Sequence, residues 1–335
     1  EMPNFYCTRL SIKQAAKISG NDNNGLIDET IESSSRKIDN ATSRIYIPKT
    51  QTRLFRWPPE LRGGKTTVLW LDHDLLSITT LQSEAQNSSP TTIASTDYFL
   101  EPANRTPYNR IEIDLSSSAS FSSGDTPQRS ISVAGSWGYS NTTRSAGTVS
   151  SGLASDAAAT SMVCSDGSKI EVGDTLLIDS EQVFVSDKTG AALGSITLSG
   201  TGATTADTAD VTVTTSAAHG VSQGEVIRID SEEMYVSAVP TTTTLTVIRA
   251  YNATVLATHS AATAIHIFRT LTIVRAVNST TAATHANATA INAYVPPPDI
   301  VKLCKADVIA TIQQEQSGWG RSVGVGENVQ EFTGR

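Results

Sequence analysis

Hydrophobic positions recur at helical three- and four-residue steps at both ends of the chain and at two-residue steps between them. Near the start, Ile12, Ala15, Ala16 and Ile18 follow Ser11, a residue type that caps helices, and Gly20 can end the run. A longer helix is predicted after Asn21-Asp22-Asn23-Asn24. There Ile27, Ile31, Ser34, Ile38 and Ala41 form one narrow stripe, with Asp28, Glu29, Glu32, Arg36 and Lys37 opposite, and Pro48 lies beyond the stop. A third helix follows Pro296-Pro297-Pro298. Asp299 caps it, Ile300, Cys304, Val308 and Ile312 form the stripe, Val301 and Ile309 widen it, and Gly318 and Gly320 end it.

The period then shortens. Residues 53–57 alternate as a strand ending at Pro58-Pro59; 68–71 and 75–81 are compact apolar runs; 97–100 leads into a turn; 110–114 and 131–139 read as strands. Residues 140–160 are almost wholly Ser, Thr, Ala, Gly and Asn, a linker composition.

The segment 161–295 is predicted all-β and repeats itself. Ile170–Ser186 aligns without gaps on Val221–Ser237 through a Gly, Ile-Asp-Ser-Glu and Val-x-Ser, and Leu245–Ile265 aligns on Leu271–Ile291 with 13 of 21 positions identical. The order is first half, first half, second half, second half. A nested arrangement accounts for it: one β module opens near Met162, is interrupted after Ser186 by a second copy running to about Phe268, and resumes at Thr270. This predicts that residues 183–186 pair with 271–274.

Composition narrows the function classes. Charged residues are 17% and aromatics 6% of 335, while 39% apolar content supports packed cores. A net charge of −8 argues against broad binding to a phosphate backbone. Cys7, Cys164 and Cys304 show no metal or disulfide spacing and read as buried or idle thiols. No basic-plus-apolar leader is seen, and no run approaches the roughly 18 apolar residues of a membrane span, so the protein is expected to be made in the cytoplasm, without membrane contact, and used in an assembly.

The outer segments resemble the head–tail connector (adaptor) family of tailed phages. The resemblance is carried by Leu10-Ser11-Ile12-Lys13, the gap at Asn21-Asp22, and Ile38-Asp39-Asn40-Ala41-Thr42-Ser43-Arg44. It continues through Ile45-Tyr46-Ile47-Pro48, Thr52-Arg53-Leu54-Phe55, Leu75-Leu76-Ser77-Ile78, Asp97-Tyr98-Phe99-Leu100 with Pro102, and the Pro298-Asp299-Ile300 helix start. It covers roughly residues 5–139 and 296–320. The middle is similar to Gly-Asp, Ile-Asp-Ser-Glu and Thr-His modules of phage tail and virion proteins, an insertion that a minimal connector lacks.

The resemblance implies an α+β fold: a helical connector core formed by the N- and C-terminal helices with short strands, plus an inserted, internally repeated all-β domain. The expected map is residues 1–139 as core, 140–160 as linker, 161–295 as the insert, and 296–335 as the helix and tail completing the core. It implies a structural virion protein at the head–tail interface, in a ring, expected dodecameric, beneath the portal protein and above a stopper or tail protein. DNA would pass through its channel without sequence-specific binding. The C-terminal helix and tail would reach the portal, with Ile300, Trp319 and Arg321 as candidate partner contacts. The alternative is a tail- or fibre-associated adhesion protein whose β modules bind host polysaccharide.

No catalytic, cofactor or metal residue is expected. Asp72-His73-Asp74 reads as a polar turn between two strands. Asp179-Ser180-Glu181 and Asp230-Ser231-Glu232 have calcium-type oxygens but sit as hairpin turns. His259 and His285 occupy equivalent repeat positions, as a local structural tie would, and His219 reads the same way. Glycan cleavage needs paired carboxylates in an aromatic cleft, and the middle offers only Phe184, Tyr235, Tyr251, Phe268 and Tyr294. No GxSxG, HExxH, Walker A or GxGxxG element has a supporting context.

Overall fold

A computed structural model describes residues 4–57, 67–200 and 204–316 and the backbone of two short strands in the tail. The helices are α1 (Arg9–Ala16), α2 (Asn24–Thr42) and α3 (Pro298–Gln316). Thr8 rather than Ser11 caps α1, its hydroxyl accepting from the Ser11 amide, and Lys17 and Ser43 end α1 and α2 in left-handed conformation. The predicted stripes are buried except at Ala15 and Ala41, which are exposed: Ile27, Ile31 and Ile38 of α2 meet Ile300, Cys304, Val308 and Ile312 of α3, with Phe5, Tyr6, Cys7, Tyr46 and Ile47 closing the cluster. Cys7 and Cys304 Sγ lie 3.4 Å apart inside it.

Ile31 is fully buried there and Ser33, two residues on, is exposed. Ile31→Asp therefore leaves an unpaired carboxylate in an apolar core and is expected to cost several kcal/mol, on the order of 3 or more. Ser33→Asp should stay within about 0.5 kcal/mol. Paired thermal melts check this, and equal tolerance would mean that the stripe carries no load.

The expected helical-core α+β fold is corrected: among the described residues three α-helices accompany two large antiparallel sheets, of six and ten strands, and the structure is mostly β. The strands of residues 49–137 do not serve as appendages of the helices. They are β1 (Lys49–Phe55), β2 (Val68–Ser83), β3 (Thr91–Ile93), β4 (Tyr98–Glu101), β5 (Tyr108–Ile113) and β6 (Ile131–Trp137), ordered β1-β6-β2-β5-β4 with β3 beside β2. They bury a core of their own, in which Leu69, Leu75, Leu81, Ile111, Val133 and Trp137 pack with Phe121. Asp72-His73-Asp74 is no turn. It lies within the 16-residue β2, where the register against β5 shifts between Trp70 and Leu75. At Gly135 of β6 an added Cβ would fall 2.0 Å from the Ser77 carbonyl of β2, so only glycine fits.

The ten-stranded sheet is two closed barrels sharing a ribbon. Its strands are β7 (Thr143–Ser151), β8 (Ser161–Cys164), β9 (Thr175–Ile178), β10 (Glu181–Thr197), β11 (Thr212–Thr214), β12 (Val226–Ile229), β13 (Glu232–Thr241), β14 (Thr244–Tyr251), β15 (Ala264–Val274) and β16 (Ala290–Tyr294). The stretch expected as a linker thus carries strand β7, with Ala146, Val149 and Leu153 buried and most of its Ser and Thr residues exposed.

In the inner barrel the pairing runs β7-β8-β15-β10-β9-β16 and back to β7. The outer barrel uses the far half of β10, then β11, β14, β13, β12 and the near half of β15. A bridge from Leu198 to Thr215, flanked by amide-to-carbonyl bonds Ser199→Thr214 and Ser216→Thr197 at 2.8 Å, closes it. Ranked by position in the chain, both rings read 1-2-5-4-3-6. The outer barrel is therefore a second copy inserted between the fourth and fifth strands of the inner one. The predicted pairing is present: Phe184 faces Val274 and Val185 faces Ile273. Closure leaves neither unit a free sheet edge, and each has its own apolar core, around Met162, Val183, Val185 and Leu271 in one and Ile227, Met234, Val236 and Ile265 in the other. In the tail, β17 (Arg321–Val323) pairs with β18 (Gln330–Phe332).

Candidate functional site

Each barrel holds one buried ionic knot built by the repeat. Asp179 and Asp230 open two-residue turns with positive φ, 51° and 54°, which a short Asp side chain tolerates. The next carboxylate is thereby carried inward. Glu181 accepts from Arg275 Nε and Nη2, both at 2.7 Å, from His285 Nε2 at 2.9 Å, and from the Ala276 and Ala283 amides. Glu232 repeats the set with Arg249 Nε at 2.7 Å and Nη2 at 2.8 Å, His259 Nε2 at 2.9 Å, and the Ala250 and Ala257 amides. Asp179 and Asp230 hold the Nδ1 atoms of the same histidines at 2.8 Å. Burial alone would raise both glutamates, but the hydrogen bonds from arginine, histidine and amides outweigh it and hold each at about 2.

These knots are ties rather than reactive centres. Both carboxylates are fully buried with five donors each, and neither lines the large cleft described below. Among the described residues no group of three or more His, Cys, Asp and Glu is placed to hold a metal. His219 is tied separately, its Nδ1 accepting from the Val221 amide at 2.9 Å. Asp72 and His73 engage Arg53, while Asp74 engages Arg44, so the three do not converge. The knot arginines belong to the repeated Leu-Thr-x-x-Arg element of the sequence, but the repeat by itself does not show that each arginine meets the Glu of Ile-Asp-Ser-Glu.

A cleft of about 350 Å³ lies where α1 meets both barrels. Tyr235 and Tyr251, ring centroids 5.5 Å apart, form one wall with Phe268. Its charged groups are engaged in holding the parts together. Arg9 pairs with Asp28 and reaches Asp187 at 3.7 Å, Lys188 bonds Glu171 at 2.9 Å, and Lys13 bonds Asn252 at 3.0 Å. Burial pushes the Glu171 carboxyl and the Tyr251 hydroxyl upward and the Lys13 ammonium downward. The cleft joins residues more than 200 positions apart, which no local pattern in the sequence announces.

A second surface lies on the six-stranded sheet. Trp70 pairs with Arg110, which pairs with Glu101, and Phe99 pairs with Glu112, so all share one face. Trp70 and Phe99 are 64% and 55% exposed, and the Arg110 guanidinium sits 5.2 Å from the Trp70 ring centroid. Of the partner contacts expected from sequence, Ile300 is buried in the helical core and offers no surface. Trp319 lies outside the described residues, and Arg321 lies in β17, paired with Phe332. No helix among the described residues is long and apolar enough to cross a membrane. No protein-family model, curated protein or solved structure matches the chain.

Proposed function

We propose that the protein is a structural subunit of a tailed-phage virion, a head–tail connector that assembles as a ring under the portal and joins the DNA-filled capsid to a stopper or tail. The observation that carries this reading is the face of Trp70, Arg110 and Phe99. Two large exposed aromatics flank an arginine on a rigid sheet, the residue types that anchor protein interfaces. The connector-like motifs at both ends of the sequence support it, as does an interior whose ionic knots are spent on structure. A ring also needs two different surfaces on each subunit, and the sheet face supplies one of them.

Native mass spectrometry of the purified protein, alone and with portal, tests the reading. Closed rings are expected, and Trp70→Glu should shift them to monomers with an unchanged circular dichroism spectrum; a wild-type protein that stays monomeric with portal present would overturn it. For the portal contact, truncation after Gln316 should leave the subunit folded and abolish co-sedimentation with DNA-filled, tail-less capsids. Multivalency makes that loss large even where each contact is weak. Undiminished binding would move the docking element to residues 1–139.

A further inference from the structure

The two barrels present the same outward face, and only one copy is covered. On the inner barrel, Phe184 and Val277 are buried beneath the N-terminal segment, with the Phe5 ring edge-on to Phe184 at 5.0 Å and 74°. The repeat places Tyr235 and Tyr251 at the corresponding positions of the outer barrel, and there they line the open cleft.

The correspondence extends through the surrounding polar groups. The Asn278 amide bonds Gln182 at 2.7 Å and Asn4 at 2.9 Å; its counterpart Asn252 bonds Glu233, the counterpart of Gln182, at 3.2 Å and Asn21 at 3.1 Å. The Gln182 amide donates to Thr280 and the Glu233 amide to Thr254, both at 3.0 Å. Gly173 and Gly224 also correspond, at φ +100° and +90°, and their amides donate to Val185 and Val236, both at 2.9 Å. Beside Gly173 a Cβ would strike the Phe5 ring at 2.8 Å, so the missing side chain makes room for that ring. Gly224 lines the cleft, where a Cβ would instead meet the Ser168 side chain at 3.3 Å.

The N-terminal region therefore satisfies both faces unequally. Asn4 and Phe5 dock on the inner barrel as a polar and an aromatic contact. On the outer barrel Asn21 supplies the polar contact, while α1 bridges past and leaves the aromatic position as a cavity.

We infer that this cleft is a docking site for an aromatic side chain on an extended segment of a partner protein, seated against Tyr235 and Tyr251 as Phe5 seats against Phe184. The cleft's volume lies within the range of roughly 300–1,000 Å³ common to ligand pockets, and its charged groups are already ion-paired (Arg9, Asp187, Lys188, Glu171) or hydrogen-bonded (Lys13, Glu233) within the protein, which favours an uncharged side chain. Edge-to-face packing against Tyr235 adds to the burial of the ring. The inference stands on the internal repeat alone and does not require the connector reading.

The test uses the full chain and the blocked peptide Pro-Asn-Phe-Tyr, which copies residues 3–6, by titration calorimetry and saturation-transfer NMR. Saturable binding is expected, roughly tenfold weaker when the peptide's Phe is replaced by Ala. Binding should be lost in Tyr235→Ala and kept in Trp70→Ala, with circular dichroism as the check on folding. Equal binding of the Phe and Ala peptides, or none at millimolar concentration, overturns the site without relying on any variant. Preferential binding of a neutral hexose oligomer, competing for the same Tyr235-dependent signal, overturns the peptide assignment in favour of a saccharide.

Discussion

Replacing Glu232 with alanine is expected to unfold the outer barrel while the rest of the molecule survives. The substitution leaves the Arg249 guanidinium buried without its carboxylate, removes one of the two carboxylates from His259, and orphans the Ala250 and Ala257 amides. Breaking a buried pair by deleting one member costs about 3–5 kcal/mol, and each stranded amide adds about 1–3. A six-stranded unit with a core of this size has little stability to set against that. Hydrogen exchange should show protection lost across β12, β13 and β14 and retained in α2 and β6. The matched change, Glu181→Ala, should behave differently, because β10 and β15 of the inner barrel also deliver Phe184 and Val274 to the helical cluster. Its damage should reach α2 and α3 and lower the main thermal transition. Identical footprints for the two variants would show that the barrels do not fold as separate cooperative units.

Acid should weaken the protein through the same two residues. Each knot glutamate sits at about 2 in the folded chain against an ordinary 4.5. Its folded pKa is depressed, so its contribution is fully present above about pH 4.5 and disappears as pH falls toward 2. That shift corresponds to about 3 kcal/mol per knot. Glu171 and Asp174 act with the opposite sign, since burial raises both, and blunt the net slope. A difference measurement isolates the knot: urea unfolding of wild type and Glu232→Gln at stepped pH. The stability gap between them should close progressively below pH 4.5, and a gap that stays constant to pH 2 would show that Glu232 is not held ionised.

The sequence carried those features whose cause is local or repeated. Helical stripes appeared because Ile27, Ile31 and Ile38 must face one way, and nesting appeared because two copies of Ile-Asp-Ser-Glu precede two copies of Leu-Thr-x-x-Arg. The balance of the fold was misjudged where chemistry runs against position. Asp72, His73 and Asp74 look like a turn, yet a register shift against β5 falls across them and β2 continues without ending. Residues 143–151 have a linker's composition because most of β7 is exposed, and only Ala146 and Val149 of the strand are buried in the barrel. The cleft was illegible for another reason: Lys13, Lys188 and Tyr251 meet only once three separately folded parts have docked. In the sequence Phe184 and Tyr235 counted only among the few aromatics that argue against a glycan-cleaving cleft. Their equivalence was present in the repeat, but that one is covered and the other open depends on where α1 starts.

The shared ribbon also determines how the molecule responds to tension. β10 leaves the inner barrel and β15 returns beside it, hydrogen-bonded antiparallel neighbours from Phe184–Val274 out to Ala192–His266. A pull applied through the two ends of the chain is met first by α2 and α3, whose contact spans those ends, and next by the inner barrel. The outer barrel hangs beyond the force path, since its incoming and outgoing strands leave the loaded body at one point. Only after the inner ring opens does load reach it, and then the ribbon parts like a zip, one rung at a time, rather than resisting in shear. Tension therefore strains the helical pair and the inner barrel first and leaves the outer barrel folded.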